Sequence, residues 1–215
     1  HQLLFQDPEI SRVIINIGGI SNITNLASNT KIVGFDCGPG NILMDSWCQR
    51  HLGTTYDKNG TWAESGETIP ALLEELMSFK FFSVPPPKST GREVFNLTWL
   101  EKHLSGNEST EDVQATLLQL TSRAITDTIL KWFPDTTEVY LCGGGARNIA
   151  LTSRIQISLP GKKVAPTDVL GINADWLEAF AFAWLAKQNI QGIPSSIPSV
   201  TNAKGERILG AVYQA

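Results

Sequence analysis

The chain has 215 residues, of which 42% are apolar and 18% charged, with a formal net charge of -4. That is enough apolar material for a sizeable core, and a slightly acidic chain without charge runs argues against a nucleic-acid or membrane partner. Cys37, Cys48 and Cys142 show no CxxC spacing, so reduced thiols in a cytoplasm are expected rather than disulfides or a zinc site.

In chain order, Val13 to Ile17 reads as a short buried strand ended by Gly18-Gly19, Ile20 to Leu26 as a second and Lys31 to Phe35 as a third. Three short strands in succession predict an antiparallel meander. A glycine-rich loop, Asp36 to Asn41, leads into a helix over Ile42 to Leu52 that Gly53 closes. Residues 54 to 68 read as loop, Ile69 to Phe82 as a helix opened by Pro70, and Val84 to Pro87 as a stiff extended segment. Lys88 to Glu93 reads as a polar loop.

A long helix follows from about Thr110 to Phe133, marked by Val113, Leu117, Leu120 and Ala124 at helical spacing. Val139 to Cys142 is a strand ending in Gly143-Gly144-Gly145, with a helix from about Asn148. Lys163 to Ala165 is another short strand. Asp175 to Gln188 is apolar nearly all round and is expected to be buried. No run is long enough to cross a bilayer, the longest being Ala179 to Ala186. Arg207 to Val212 reads as a final strand. Strands first, then alternating helices and strands, predict an α/β domain with a mixed sheet.

Three glycine-rich turns follow predicted strands: Gly18-Gly19, Gly38-Pro39-Gly40 and Gly143-Gly144-Gly145. Glycine lets backbone N–H groups approach an anion closely, and a helix N-terminus behind such a turn adds partial positive charge. Asn22, Asn41 and Asn148 stand ready to add amide contacts. Asp36 could orient a nucleotide-bound metal through water, or cap its own turn. Glu178 either faces a cleft and holds a polar ligand, or forms a capping box with Asp175. Lys88 and Arg92 either touch phosphates or belong to a solvated loop. The spacing Gly143-x-Gly145-x-x-Asn148, with Asp168 beyond a short strand, leaves an NAD-dependent oxidoreductase as an alternative, although the third glycine is missing. No GxxxxGK[ST] segment occurs.

Taken in order, several segments resemble the anhydro-N-acetylmuramic acid kinase family of the sugar kinase/actin superfamily. They are Asn16-Ile-Gly-Gly-Ile-Ser-Asn22, Gly34-Phe-Asp-Cys-Gly-Pro-Gly-Asn41 with Met44-Asp45, Pro85-Pro-Pro-Lys-Ser-Thr-Gly-Arg-Glu93, Asp112-Val-Gln-Ala-Thr116, Cys142-Gly-Gly-Gly-Ala-Arg-Asn148, Glu178-Ala-Phe-Ala-Phe-Ala183 and Pro198-Ser-Val-Thr201. The resemblance implies a ribonuclease-H-like (actin-like ATPase) fold, a mixed sheet flanked by helices. It implies a single domain over 1–215, with a helical and loop insertion over 54–110, that forms the C-terminal half of a two-domain kinase. It implies ATP and Mg²⁺ as cofactors and an anhydro sugar as substrate, opened by water and phosphorylated in cell-wall recycling. Gly18, Gly19 and Asn22 would face phosphate, Gly143, Gly144, Gly145 and Asn148 the nucleotide, and Glu178 the sugar. The catalytic base is expected upstream of His1, so this chain alone would be inactive; a homodimer, or a binding module without catalysis, stays open. Cys37 stands where the family has Thr, and Asn202 where it has Gly.

Overall fold

A computed structural model of the chain describes residues 1–27, 32–173, 176–201 and 203–213. The meander forms as predicted. β1 (Arg12–Ile17) pairs antiparallel with β2 (Ile20–Asn25), and β2 with β3 (Val33–Pro39). The third strand is longer than expected at its end, because Asp36, Cys37, Gly38 and Pro39 continue the ladder. On its other edge β1 takes β4 (Glu138–Cys142) in parallel, and β4 takes β5 (Lys163–Pro166) in parallel. The sheet order is β3-β2-β1-β4-β5. Parallel neighbours need long crossovers, and helices supply them.

Before β1 lies a single turn, α1 (Gln2–Phe5), and after β3 comes α2 (Ile42–Leu52). Gly53 ends α2 at φ 69, a left-handed cap that glycine adopts without strain. Four short helices follow: α3 (Thr61–Ser65), α4 (Pro70–Met77), α5 (Lys80–Ser83) and α6 (Leu97–Glu101). The long helix is α7 (Thr110–Trp132), and Ser109 caps it by accepting the N–H of Asp112 at 3.1 Å. Then come α8 (Ile149–Ser158), α9 (Leu177–Ile190) and α10 (Pro198–Thr201).

The two faces of the sheet are covered unequally. Val13, Ile15 and Ile17 of β1 point to one side, with Ile23 and Phe35, and meet Leu117, Leu120 and Ile125 of α7 in the main core. The short helices join that same core through Leu76, Phe95 and Leu100. Ile14 points the other way, into a small cluster with Phe5, Leu26, Tyr140 and Leu177. The split follows from the two-residue period of a strand.

Four expectations need correction. The stretch 54–68 is not all loop: the carboxylate of Asp57 accepts the N–H groups of Trp62 and Ala63, both at 2.9 Å, and starts α3. The helix expected over 69–82 breaks at Phe79, whose backbone is extended (φ -57, ψ 130). The break lets Phe79 lie edge-on to Phe95 and Trp99 while Phe81 and Phe82 also reach Phe95. Helix α9 is not buried: Phe180 is 52% and Phe182 71% exposed, and only Leu177 enters the second cluster. Its composition allows burial, but little of the described chain lies over it. Residues 207–212 form no strand. The carbonyl of Arg207 accepts from Ser195 and Ser196, and Asn189 of α9 donates to the carbonyls of Leu209 and Gly210. Lys31, Asp175 with its capping box, and Asn202 lie outside the described residues.

Candidate functional site

The topology gathers the three glycine turns at one edge of the sheet. β4 runs parallel to β1, and β3 shares that direction because both it and β1 are antiparallel to β2. The ends of β1, β3 and β4 therefore coincide. In open α/β sheets this is the edge at which ligands bind.

The turns lock into one another through their carbonyls. The N–H groups of Gly40 and Ile42 donate to Gly19, at 2.9 and 3.1 Å, and that of Asn41 to Gly18 at 2.8 Å. From below, Thr121 of α7 donates its hydroxyl to the carbonyl of Gly40 at 2.9 Å. The backbones are so close that a Cβ on Gly40 would overlap the carbonyl of Gly18. Gly38 has a comparable constraint, with Phe82 2.7 Å and Ala124 3.2 Å from where its Cβ would stand. The amides of Gly40 and Asn41 thus hold the turn together.

Asn41 sits among all three turns. Its Nδ2 donates to the carbonyl of Ile17 at 3.3 Å. The same amide lies against the third turn, with Nδ2 3.7 Å from a Cβ built on Gly144 and Oδ1 2.9 Å from one built on Gly145. Gly143 adopts φ 77, and the side-chain oxygen of Asn16 occupies the space a Cβ would need there. With their carbonyls turned inward, Gly18 and Gly19 leave their N–H groups over. Among the described residues, no protein group accepts from the N–H of Gly18, Gly19, Gly144 or Gly145. Unpaired amides grouped at a turn form an anion-binding concavity.

The face away from α7 carries a polar row. Asn16 lies opposite Asn22, and Asn22 opposite Asp36, across three strands. Asn22 and Asp36 line a cleft of about 450 Å³ together with Thr24, Lys88, Ser89 and Val200. Asp36 neither caps its own turn nor stands free. Its Oδ2 accepts the N–H of Thr90 at 2.9 Å, which ties the 88–93 loop to the sheet. Burial pushes its carboxyl above the usual carboxylate range, and the Thr90 hydrogen bond offsets part of that. Asp45, one helical turn beyond Asn41, is pushed by burial up to about 6.

The remaining sequence candidates fall into place around this edge. Asn148 caps α8, accepting the N–H of Leu151 at 3.1 Å. Asp168 is exposed in a 3-10 turn after β5. Glu178 belongs to the first turn of α9, and its side chain lies outside the description. Lys88 is no solvated loop residue: its Nζ donates to the carbonyl of Phe81 at 2.9 Å, and burial lowers its pKa. Cys37 faces the main core, fully buried, with its thiol pushed up to about 12 by burial. Its departure from Thr therefore concerns packing beside α7 and not the cleft. Sequence reasoning missed the central position of Asn41 and the support from Thr121. A threonine in mid-helix at the buried α7 stripe was the available signal for the latter.

The profile of the family described as "Anhydro-N-acetylmuramic acid kinase" matches residues 1–215. The anhydro-N-acetylmuramic acid kinase of Nitrosospira multiformis is 60% identical over the whole chain, and that of Nitrosomonas europaea 58%. The chain spans 59% of the length of each. Among solved structures, the activator of the 2-hydroxyisocaproyl-CoA dehydratase from Clostridium difficile, with bound ADPNP, superposes with a TM-score of 0.51 at 18% identity. The match covers 91% of this chain and 68% of that one. That likeness concerns the fold alone, and it agrees with the expected ribonuclease-H-like, actin-like ATPase architecture.

Proposed function

The chain belongs to the anhydro-N-acetylmuramic acid kinase family, and from that premise we propose that it is the nucleotide-binding portion of an ATP-dependent sugar kinase of the bacterial cytoplasm. In the complete protein, water adds at C1 and opens the 1,6-anhydro bond of anhydro-N-acetylmuramic acid as the terminal phosphoryl group of ATP passes to O6 and ADP leaves. N-Acetylmuramic acid 6-phosphate leaves for cell-wall recycling. The observation that carries this reading is the convergence of Gly18-Gly19, Gly40-Asn41 and Gly143-Gly144-Gly145 at one sheet edge, with unpaired N–H groups around Asn41. Phosphoryl transfer depends mainly on positioning and charge neutralisation, which such a cradle provides.

In this reading the amides of Gly18 and Gly19, with Asn22 beside them, hold phosphate oxygens. Gly143, Gly144 and Gly145 border the nucleoside, with Asn148 holding their helix in place. Gly38, Gly40 and Asn41 keep the cradle in shape. Among the described residues no group of three His, Cys, Asp or Glu could hold a metal by itself. Asp36, a lone carboxylate with one oxygen given to Thr90, suits contact through water to a Mg²⁺ that the phosphates already hold. When bound, that ion neutralises phosphate charge. Glu178 holds the sugar.

Calorimetric titration of the chain with Mg-ATP and with NAD tests the reading. ATP is expected to bind and NAD is not; the reverse result ends the kinase proposal. In the complete protein, Glu178→Gln is expected to weaken sugar binding while the fold persists. Unfolding with normal sugar binding would favour the capping role instead.

A further inference from the structure

The loop after the triple proline carries two cations near the glycine hairpin, and their surroundings differ. Lys88 is engaged: its Nζ donates to the carbonyls of Phe81 and Phe82, at 2.9 and 3.5 Å, and lies 4.4 Å from the centre of the Phe81 ring. Its charge serves the end of α5. Arg92 is exposed, and among the described residues its guanidinium makes no hydrogen bond or ion pair. Yet it lies against the hairpin: a Cβ built on Gly19 would stand 3.6 Å from its Nη2 and 3.7 Å from its Nε.

The backbone beneath Arg92 is fixed on both sides. Before it, Thr90 donates to Asp36 Oδ2 at 2.9 Å, and Asp36 returns its N–H to the carbonyl of Lys88 at 3.1 Å. After it, Val94 and Phe95 both donate to the carbonyl of Gly91 at 3.1 Å. Asn96 donates to the carbonyl of Arg92 itself at 3.2 Å. Phe95 is fully buried among Phe79, Phe81, Phe82 and Trp99. The neighbouring acid, Glu93, is folded back over Gly91. A guanidinium is thus presented to Gly19 by a rigid loop and not by a partner of its own.

We propose that Arg92 grips the terminal phosphoryl groups of the nucleotide seated at Gly18-Gly19, as a charged fork beside two unpaired N–H groups. A guanidinium matches phosphate oxygens bidentately and keeps its charge at every physiological pH. Placed there, it adds the one full positive charge that the glycine amides lack. The inference rests on the nucleotide reading of the site given above.

Calorimetry on the 215-residue chain with ATP and with adenosine tests it, using the unsubstituted chain, Arg92→Gln and Arg92→Lys. Arg92→Gln is expected to weaken ATP about tenfold or more, the scale of a lost charge-assisted hydrogen bond. Adenosine affinity and the unfolding midpoint stay unchanged, and Arg92→Lys recovers part of the loss. Equal ATP affinity in the unsubstituted chain and Arg92→Gln overturns this inference and leaves the nucleotide reading standing. So does an equal loss for ATP and adenosine with a lowered unfolding midpoint, which marks a structural role. An unsubstituted chain that binds no ATP overturns the nucleotide reading and this inference together.

Discussion

Asn41 donates its side-chain N–H to the carbonyl oxygen of Ile17 across 3.3 Å, fastening the start of α2 to the end of β1. The same amide lies against the third turn, its Nδ2 towards Gly144 and its Oδ1 towards Gly145. One side chain thereby sets the spacing of three turns that lie far apart in sequence. The site depends on close backbone approach, and its glycines are the first place to test it.

Gly40→Ala puts a methyl group onto the carbonyl of Gly18, with Ile20 and Ser21 only 3.2 Å away. Because the overlap is with backbone, it is expected to cost about 2–3 kcal/mol, the upper part of the overpacking range. Gly53→Ala is the control: its φ is 69 and nothing lies within 4 Å, so it bears only the left-handed strain of about 1 kcal/mol. Urea unfolding of both variants measures the difference. Equal losses would show that the two turns are not packed as described.

Phe95→Ala empties the centre of the aromatic cluster formed with Phe79, Phe81, Phe82 and Trp99. A loss of about 3–5 kcal/mol is expected for a fully buried ring. Hydrogen exchange should quicken most at Val94 and Phe95, whose amides bond to Gly91. Uniform quickening across the sheet instead would show that the cluster is not a local clamp.

Asp45 supplies a pH dependence. Burial raises its folded pKa to about 6 from 3.8. The folded state therefore holds the proton more tightly than the unfolded one, and the associated stability is present at low pH and lost as pH rises through that window. Asp45→Asn is expected to unfold at a higher temperature than the unsubstituted chain at about pH 7.5, with the gap closing towards about pH 4. A gap that stays constant over this range would exclude the carboxyl as its source.

Phe182→Ser tests the exposure of α9. At 71% exposure the ring contributes little to the fold, so the change should stay within about 0.5 kcal/mol. Light scattering should show less self-association, because an exposed apolar face favours it. A large loss of stability would return α9 to the buried role that its composition suggests.

Much of the fold was legible in the residues. β-branched runs ended by glycine marked the strands, the helical spacing of Val113, Leu117 and Leu120 marked α7, and Gly53 marked the end of α2. These signals are local, and each acts within a few residues. The helix break at Phe79 was not legible, because its cause is an aromatic partner at Phe95. Nor was the exposure of α9, since an apolar helix does not say what covers it.

The same division holds for the site. The sequence by itself determined that three glycine turns follow strands and that Asp36 and Asn41 stand beside them, because turn chemistry is written in adjacent residues. Only the tertiary structure decided that the turns share one edge, that Asn41 lies at their centre, that Lys88 is engaged and that Arg92 lies over Gly19. Those outcomes depend on strand order and direction, which pairing across the sheet sets and no local segment contains.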